Sequence, residues 1–150
     1  NIFQRSGTWS DITCARFPFP EALSWIERYP QKWRIPFPSP IHLVSGTPFQ
    51  RSVWEEVLDI PCGSVATYSG IAEQVGTPSA RAVGTANGSN PLPLIVPCHR
   101  VVRKEGTLGG YGYGMDMKIE LLKMEGVPLI IEGGRVKVSP DFLAAAAGHD

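Results

Sequence analysis

From Thr47 onward the apolar positions fall into a helical rhythm; before it they do not. In TPFQRSVWEEVLDI, the residues Phe49, Val53, Trp54, Val57 and Leu58 recur at helical spacing. Thr47 stands ahead of them as an N-cap, Pro48 takes the first helical position, and Gln50 lies three residues past the cap, a capping box with a proline start. PCGSVAT breaks this helix. Thr67 then caps a second, YSGIAEQV, which Gly76 can end. Thr77 and Pro78 start a third, PSARAVGTANG, ending near Asn87 and Gly88. Two short helices across a Gly-containing turn predict a helix-turn-helix. The second of the pair is thin: Ser79, Ala80, Ala82, Gly84 and Ala86 let it approach another surface closely, and its only charge is Arg81.

MDMKIELLKMEGV predicts a fourth helix, with Met117, Ile119, Leu121, Leu122 and Met124 as core candidates. LIIEGGRVKV reads as a hairpin turning at Gly133 and Gly134, and AAAAGHD as a frayed tail. The first 45 residues are less regular. TWSDITCARFP suits a short strand. PEALSWIERYPQKW suits a helix behind Pro20, with Ala22, Leu23, Trp25, Ile26 and Tyr29 on a mixed apolar face. IPFPSPIHL, with three prolines in five residues, suits an extended connector. The expected organisation is a reduced N-terminal α/β segment and connector over 1–45, a mainly helical, winged-helix-like domain over 46–130, and a hairpin and tail over 131–150. The class is mixed α/β, of the α+β kind.

Composition narrows this picture. With 150 residues, 43% of them apolar, the chain suits one domain or a domain plus a fragment. The formal net charge is zero, so no global field draws nucleic acid or membrane. No apolar run approaches the ~20 residues of a membrane span, and NIFQRSGTWSD lacks a signal-peptide core. The chain does not begin with Met, and its start is read as incomplete. Cys14, Cys62 and Cys98 are odd in number and form no CxxC pattern, which points to a reducing compartment, the cytoplasm or, in a eukaryote, the nucleus. One local bias survives the neutral total. Residues 76–104, the segment that also holds the second helix of the helix-turn-helix, carry Arg81, Arg100, Arg103 and Lys104 and no acid, which points to DNA.

The chemistry concentrates in NPLPLIVPCHRVV, residues 90–102. A thiolate is a strong nucleophile, and a histidine partner activates it. Adjacency does not prove contact, because neighbours on a strand point to opposite faces. A buried structural cysteine beside a surface histidine stays open on these residues alone.

PCHRV with this run-up, the upstream ARAVGTANG, the entry helix GTPFQRSVW and the downstream GGYGYGMDMKIELLKMEG together resemble the O6-alkylguanine-DNA alkyltransferases, over roughly residues 46–127. The resemblance implies direct-reversal repair, in which an alkyl group passes irreversibly from a flipped O6-alkylguanine in double-stranded DNA to Cys98, once per protein molecule. It implies His99 as the base, Glu125 as the group orienting it through a relay completed by water, and Asn90 as the brace of the active-site turn. It places Tyr68, Tyr111, Tyr113 and Arg100 around the substrate pocket. It assigns DNA contacts to Tyr68, Thr67, Ser79, Ala80 and Gly84, with Arg81 filling the hole left by the flipped base and the second helix lying in the minor groove. No cofactor is implied, and a monomer is expected. Two departures stand out. The zinc site of some members needs paired Cys and His, whereas this chain offers Cys14 and His42, so no metal is expected. Tyr113 stands where many members carry glycine, which disfavours large alkyl substrates. The alternatives are a non-catalytic lesion binder, a helix-turn-helix regulator and a cysteine hydrolase.

Overall fold

The computed structural model describes residues 41–147 and, before them, Ser24, Trp25, Glu27, Arg28, Tyr29 and Phe37. The chain divides into two units, Asn1–His42 and Leu43–Asp150. In the first unit Ser24, Trp25 and Glu27 are helical, and Trp25 is buried with its ring 5.5 Å from Tyr29 and edge-on to Phe37 at 5.4 Å. The rest of the helix expected there, the short strand and most of the proline connector lie outside the described residues.

In the second unit local sequence dictates most helix boundaries. Helix α1, Pro48–Leu58, begins with the reciprocal capping box: Gln50 N–H donates to Thr47 Oγ1 at 3.1 Å, and Thr47 N–H to Gln50 Oε1 at 2.9 Å. Helix α2, Tyr68–Val75, is capped by Thr67 and ended by Gly76 at φ +75°. Helix α3, Ala80–Gly88, is capped by Ser79, whose hydroxyl accepts the Ala82 N–H. The expected start at Thr77 and Pro78 is corrected here. Thr77 Oγ1 is spent on the Ser79 N–H, which leaves Ser79 to cap and lengthens the turn.

These three helices share a core built from Val53, Trp54, Val57, Ile71, Ala72, Val83 and Ala86, into which Val96 and Val101 insert. Trp54 spans it: its indole N–H donates to Ala86 O, 2.8 Å away on α3. Strands β1, Ala66–Thr67, and β2, Val101–Val102, pair in parallel, which brings the start of α2 beside the segment that follows Cys98.

Helix α4, Met115–Met124, departs from expectation. Leu121 and Leu122 are buried, but Met117 is 51% and Met124 37% exposed, and the fully buried partner is Lys118. The inward stripe is 118, 121, 122 and 125, at helical spacing, and the methionines lie off it. Leu122 joins Val65, Val102, Leu108, Val127 and Val138 in a second core. Strands β3, Leu129–Glu132, and β4, Arg135–Val138, form the expected antiparallel hairpin. Gly133 and Gly134, both at positive φ, supply the tight two-residue turn. The expected frayed tail is also corrected: Ala144–Ala147 complete helix α5, Pro140–Ala147. Alanine is the strongest helix former, and Phe142 and Leu143 anchor the helix on the second core. Residues 148–150 lie outside the described residues.

Candidate active site

The reactive turn is held by side chains from the end of α3. Asn90 bridges it: Nδ2–H donates to Val96 O at 2.7 Å, and Oδ1 accepts the Leu92 N–H at 2.9 Å. Leu94 sits inside the turn at φ +73°, a conformation that L side chains adopt only under constraint. Asn87, from the last turn of α3, donates Nδ2–H to the Cys98 carbonyl at 3.2 Å. Cys98 then opens a single 3-10 turn, Cys98–Arg100, that leads into β2.

Cys98 is buried, and burial pushes its thiol above the ordinary value. A hydrogen bond with Asn90, the charge of Lys118 and a hydrogen bond with Tyr111 act against that rise. His99 is fully buried. Loss of hydration lowers its pKa despite Glu125, so the ring is neutral near pH 7. Its Nε2 lies 2.7 Å from Glu125 Oε1. A neutral ring facing a carboxylate places its proton on Nε2, which donates. Nδ1 is thereby an acceptor, buried and without a hydrogen-bond partner among the described residues.

Glu125 is held from two sides. Burial raises its pKa, but the bonds to His99 and Arg100 outweigh this and hold it down to about 2. Arg100 grips it with two hydrogen bonds of 2.9 Å and donates a third, at 2.7 Å, to Ile60 O. Arg100 was expected in the substrate pocket. The structure instead buries its guanidinium, because Glu125 and the Ile60 carbonyl satisfy its charge and donors there.

Tyr111 is half-buried, and burial first and Cys98 second raise the pKa of its hydroxyl. Tyr113 is 59% exposed, and its ring stacks obliquely on Tyr111 at 5.5 Å. Tyr68, half-buried at the first position of α2, lies against Gly84 and Gly109. A Cβ on Gly109 would fall 3.0 Å from the Tyr68 hydroxyl, and its φ of +72° already favours glycine. Arg81 is exposed on the first turn of α3, and Ala80 and Gly84 are partly exposed on the same helix. The hydroxyls of Thr67 and Ser79 are engaged as helix caps.

Sequence reasoning missed Lys118. Its ammonium is caged by backbone carbonyls, Val101 O at 2.7 Å, Leu108 O, and Gly110 O at 3.5 Å. Burial lowers its pKa to about 8, with Cys98 pulling the other way. A lysine inside the stripe 118, 121, 122 and 125 was the available signal. The site thus combines Cys98, its turn held by Asn90 and its thiol acted on by Lys118 and Tyr111, with the buried group His99, Glu125 and Arg100. Among the described residues no cluster of three or more His, Cys, Asp or Glu is arranged to hold a metal.

The family model for the 6-O-methylguanine DNA methyltransferase, DNA binding domain, matches residues 48–127. A methylated-DNA–protein-cysteine methyltransferase from Shigella flexneri is 55% identical over 86 residues, covering 57% of this chain and 50% of that protein. The chain therefore spans about half the length of that relative. The protein of the same name from Mycobacterium leprae is 47% identical over 108 residues, covering 71% of this chain and 65% of that one. The crystal structure of Mycobacterium tuberculosis OGT in complex with DNA superposes with a TM-score of 0.65 at 43% identity, covering 72% of this chain and 66% of that one. With the family model matched over more than half of its length, the chain belongs to the 6-O-methylguanine DNA methyltransferase family.

Proposed function

We propose that this protein repairs DNA by direct reversal, taking the alkyl group of an O6-alkylguanine onto Cys98. One observation carries the reading: the buried thiol of Cys98 is followed, in the same 3-10 turn, by a neutral histidine whose Nε2–H is fixed on Glu125. The bonds to Glu125 leave Nδ1 as the site for the thiol proton.

The alkyl group lies on the base-pairing edge of guanine, out of reach of a buried thiol, so the nucleotide has to be extruded at a cost of about a few kcal/mol. Arg81, exposed on the thin helix α3, suits the vacated stack, and small residues let that helix enter a narrow groove. His99 Nδ1 takes the thiol proton. Lys118, Tyr111 and Asn90 stabilise the thiolate against its burial. Sulfur then attacks the alkyl carbon, the C–O6 bond breaks with its electron pair on guanine, and the proton held by His99 returns to the base. The product is a thioether, a very poor leaving group, so each molecule acts once. Thiol, base and orienting carboxylate all come from the chain, and no cofactor enters the step. Contacts to the DNA backbone make binding salt-dependent and tolerant of sequence. The protein acts as a monomer on double-stranded DNA, in the reducing compartment that holds it, cytoplasm or nucleus.

The test is intact mass after incubation with duplex DNA containing O6-methylguanine. The expected result is a gain of one methyl group mapped to Cys98, absent in Cys98→Ala, which still binds the duplex. Binding without any mass gain overturns the reading in favour of a lesion binder or a regulator.

A further inference from the structure

The glycine-rich loop between β2 and α4 carries Tyr111 and Tyr113, and its backbone is held unevenly. At one end the Arg103 N–H closes a turn on Thr107 O at 2.8 Å, and at the other the Gly114 N–H closes a turn on Tyr111 O at 3.1 Å. Between these turns Leu108, Gly109 and Gly110 make no backbone–backbone hydrogen bond among the described residues. The Leu108 side chain packs in the second core, but the carbonyls on either side of Gly109 are held by a side chain from the next helix. Lys118 donates from Nζ to Leu108 O and, at 2.7 Å, to Val101 O on β2, the strand that follows Cys98, with Gly110 O at 3.5 Å completing the cage. Lys118 is fully buried, and among the described residues no carboxylate pairs with it. A buried ammonium is costly unless polar groups replace its water, so these backbone dipoles are what keeps it there. The stretch they belong to also seats Tyr68, whose hydroxyl and ring would lie 3.0 and 3.1 Å from a Cβ on Gly109.

We propose that Lys118 is a positioning residue for the substrate base: it clamps the 108–110 stretch to β2 and so fixes where Tyr111 and Tyr113 stand relative to Cys98. This role is separate from the effect of its charge on the thiol. An ammonium brings three N–H donors to three carbonyls, whereas a methionine in its place brings none. Val101 O and Leu108 O then lose their partner, and the loop swings outward to find water. The inference rests on the alkyl-transfer reading and adds to it: the extruded guanine meets a wall whose place is set from α4. In-line attack is sensitive to that place, a shift of about 1 Å costing roughly 100-fold in rate.

The experiment compares wild type with Lys118→Met in three measurements. The first is single-turnover methylation of Cys98 by duplex DNA containing O6-methylguanine at saturating concentration. The second is alkylation of Cys98 by iodoacetamide, which reads the thiolate and needs no pocket. The third is native-state cleavage by chymotrypsin, mapped by mass, which reads local opening of the loop. The variant is expected to lose about tenfold more rate on O6-methylguanine than on iodoacetamide, part of the placement penalty. Cleavage after Tyr111 and Tyr113 is expected to quicken about tenfold, with cleavage after Trp54, buried in α1, unchanged. Equal losses with the two reagents overturn the proposal, because the charge on the thiol then accounts for everything. Unchanged cleavage after Tyr111 and Tyr113 overturns it, and so does an equal rise after Trp54, which marks a general loss of stability. If Lys118→Met does not fold, Lys118→Leu, beside Leu121 and Leu122, takes its place with the same three readouts. Wild type that reacts with iodoacetamide and gains no methyl from the duplex defeats the alkyl-transfer reading itself, while the cleavage pattern still decides whether the clamp exists.

Discussion

Around the sulfur of Cys98, burial and charge pull in opposite directions, and single side chains decide the balance. Lys118 is the clearest case. Replacing it with methionine keeps the length and removes the charge. The thiol pKa then rises further, and alkylation of Cys98 by iodoacetamide should shift to higher pH. At neutral pH the rate should fall roughly ten- to hundredfold, the scale of an interaction with a charged partner. In the wild type this assistance fades as pH passes about 8, where Lys118 loses its proton. A pH–rate profile of both proteins checks it, and coincident profiles refute it. Tyr113 bears on a different property. Its ring leans on Tyr111, whose hydroxyl interacts electrostatically with the thiol, so a flat, bulky alkyl group is expected to have to displace the pair. Free O6-benzylguanine should inactivate the wild type slowly and Tyr113→Gly at least tenfold faster, with methyl transfer from DNA little changed. Inactivation time courses decide this. Cys98, His99 and Glu125 were legible because they stand within contiguous motifs. Lys118 and the inward turn of Arg100 were not, because their partners are mainly backbone carbonyls and a carboxylate distant in sequence, which no local pattern encodes.

At the scale of elements, boundaries set by short-range hydrogen bonds were legible and those set by distant pairing were not. The capping box of α1, the Thr67 cap of α2 and the glycine turn of the β3–β4 hairpin are all closed within three or four residues. The β1–β2 pair joins Ala66 to Val101 across 35 residues and is only two residues long, so its sequence carries no strand signature. Helix α5 was hidden for another reason: an alanine run at a chain end looks like fraying until Phe142 and Leu143 are seen to pack. The glycine-rich loop before α4 has its own requirement. Gly109→Ala forces a strained φ, costing about 1 kcal/mol, and drives a methyl group against the Tyr68 ring and hydroxyl. The melting temperature should fall by several degrees, and the duplex repair rate by more than stability alone accounts for. A loss confined to stability refutes the link to Tyr68.

For the molecule as a whole, the buried His99–Glu125–Arg100 group sets the response to acid. Glu125 titrates at about 2 in the fold against 4.5 ordinarily, so between those values the unfolded chain binds more protons and stability rises with pH. That contribution is complete above 4.5 and is lost as pH falls toward 2. His99, lowered from 6.5, has the same sign: the unfolded chain takes up its proton first as pH drops below 6.5. Urea unfolding should therefore show a loss on the order of 2–3 kcal/mol between neutral pH and about pH 3, and Glu125→Gln should flatten the slope. An unchanged slope in that variant places the acid sensitivity elsewhere.

The hydrogen bond from Trp54 to the backbone of α3 also has an optical consequence. Of the four tryptophans in the chain, Trp9, Trp25 and Trp33 precede residue 43, so Trp54 is the lone indole in Leu43–Asp150. It is 2% exposed, and its N–H is spent on Ala86. With the other three changed to phenylalanine, its emission becomes a reporter of whether α1 still grips α3: blue-shifted while the bond holds, red-shifted once water reaches the ring. The same residue that packs the core makes the seating of α3 readable in a cuvette.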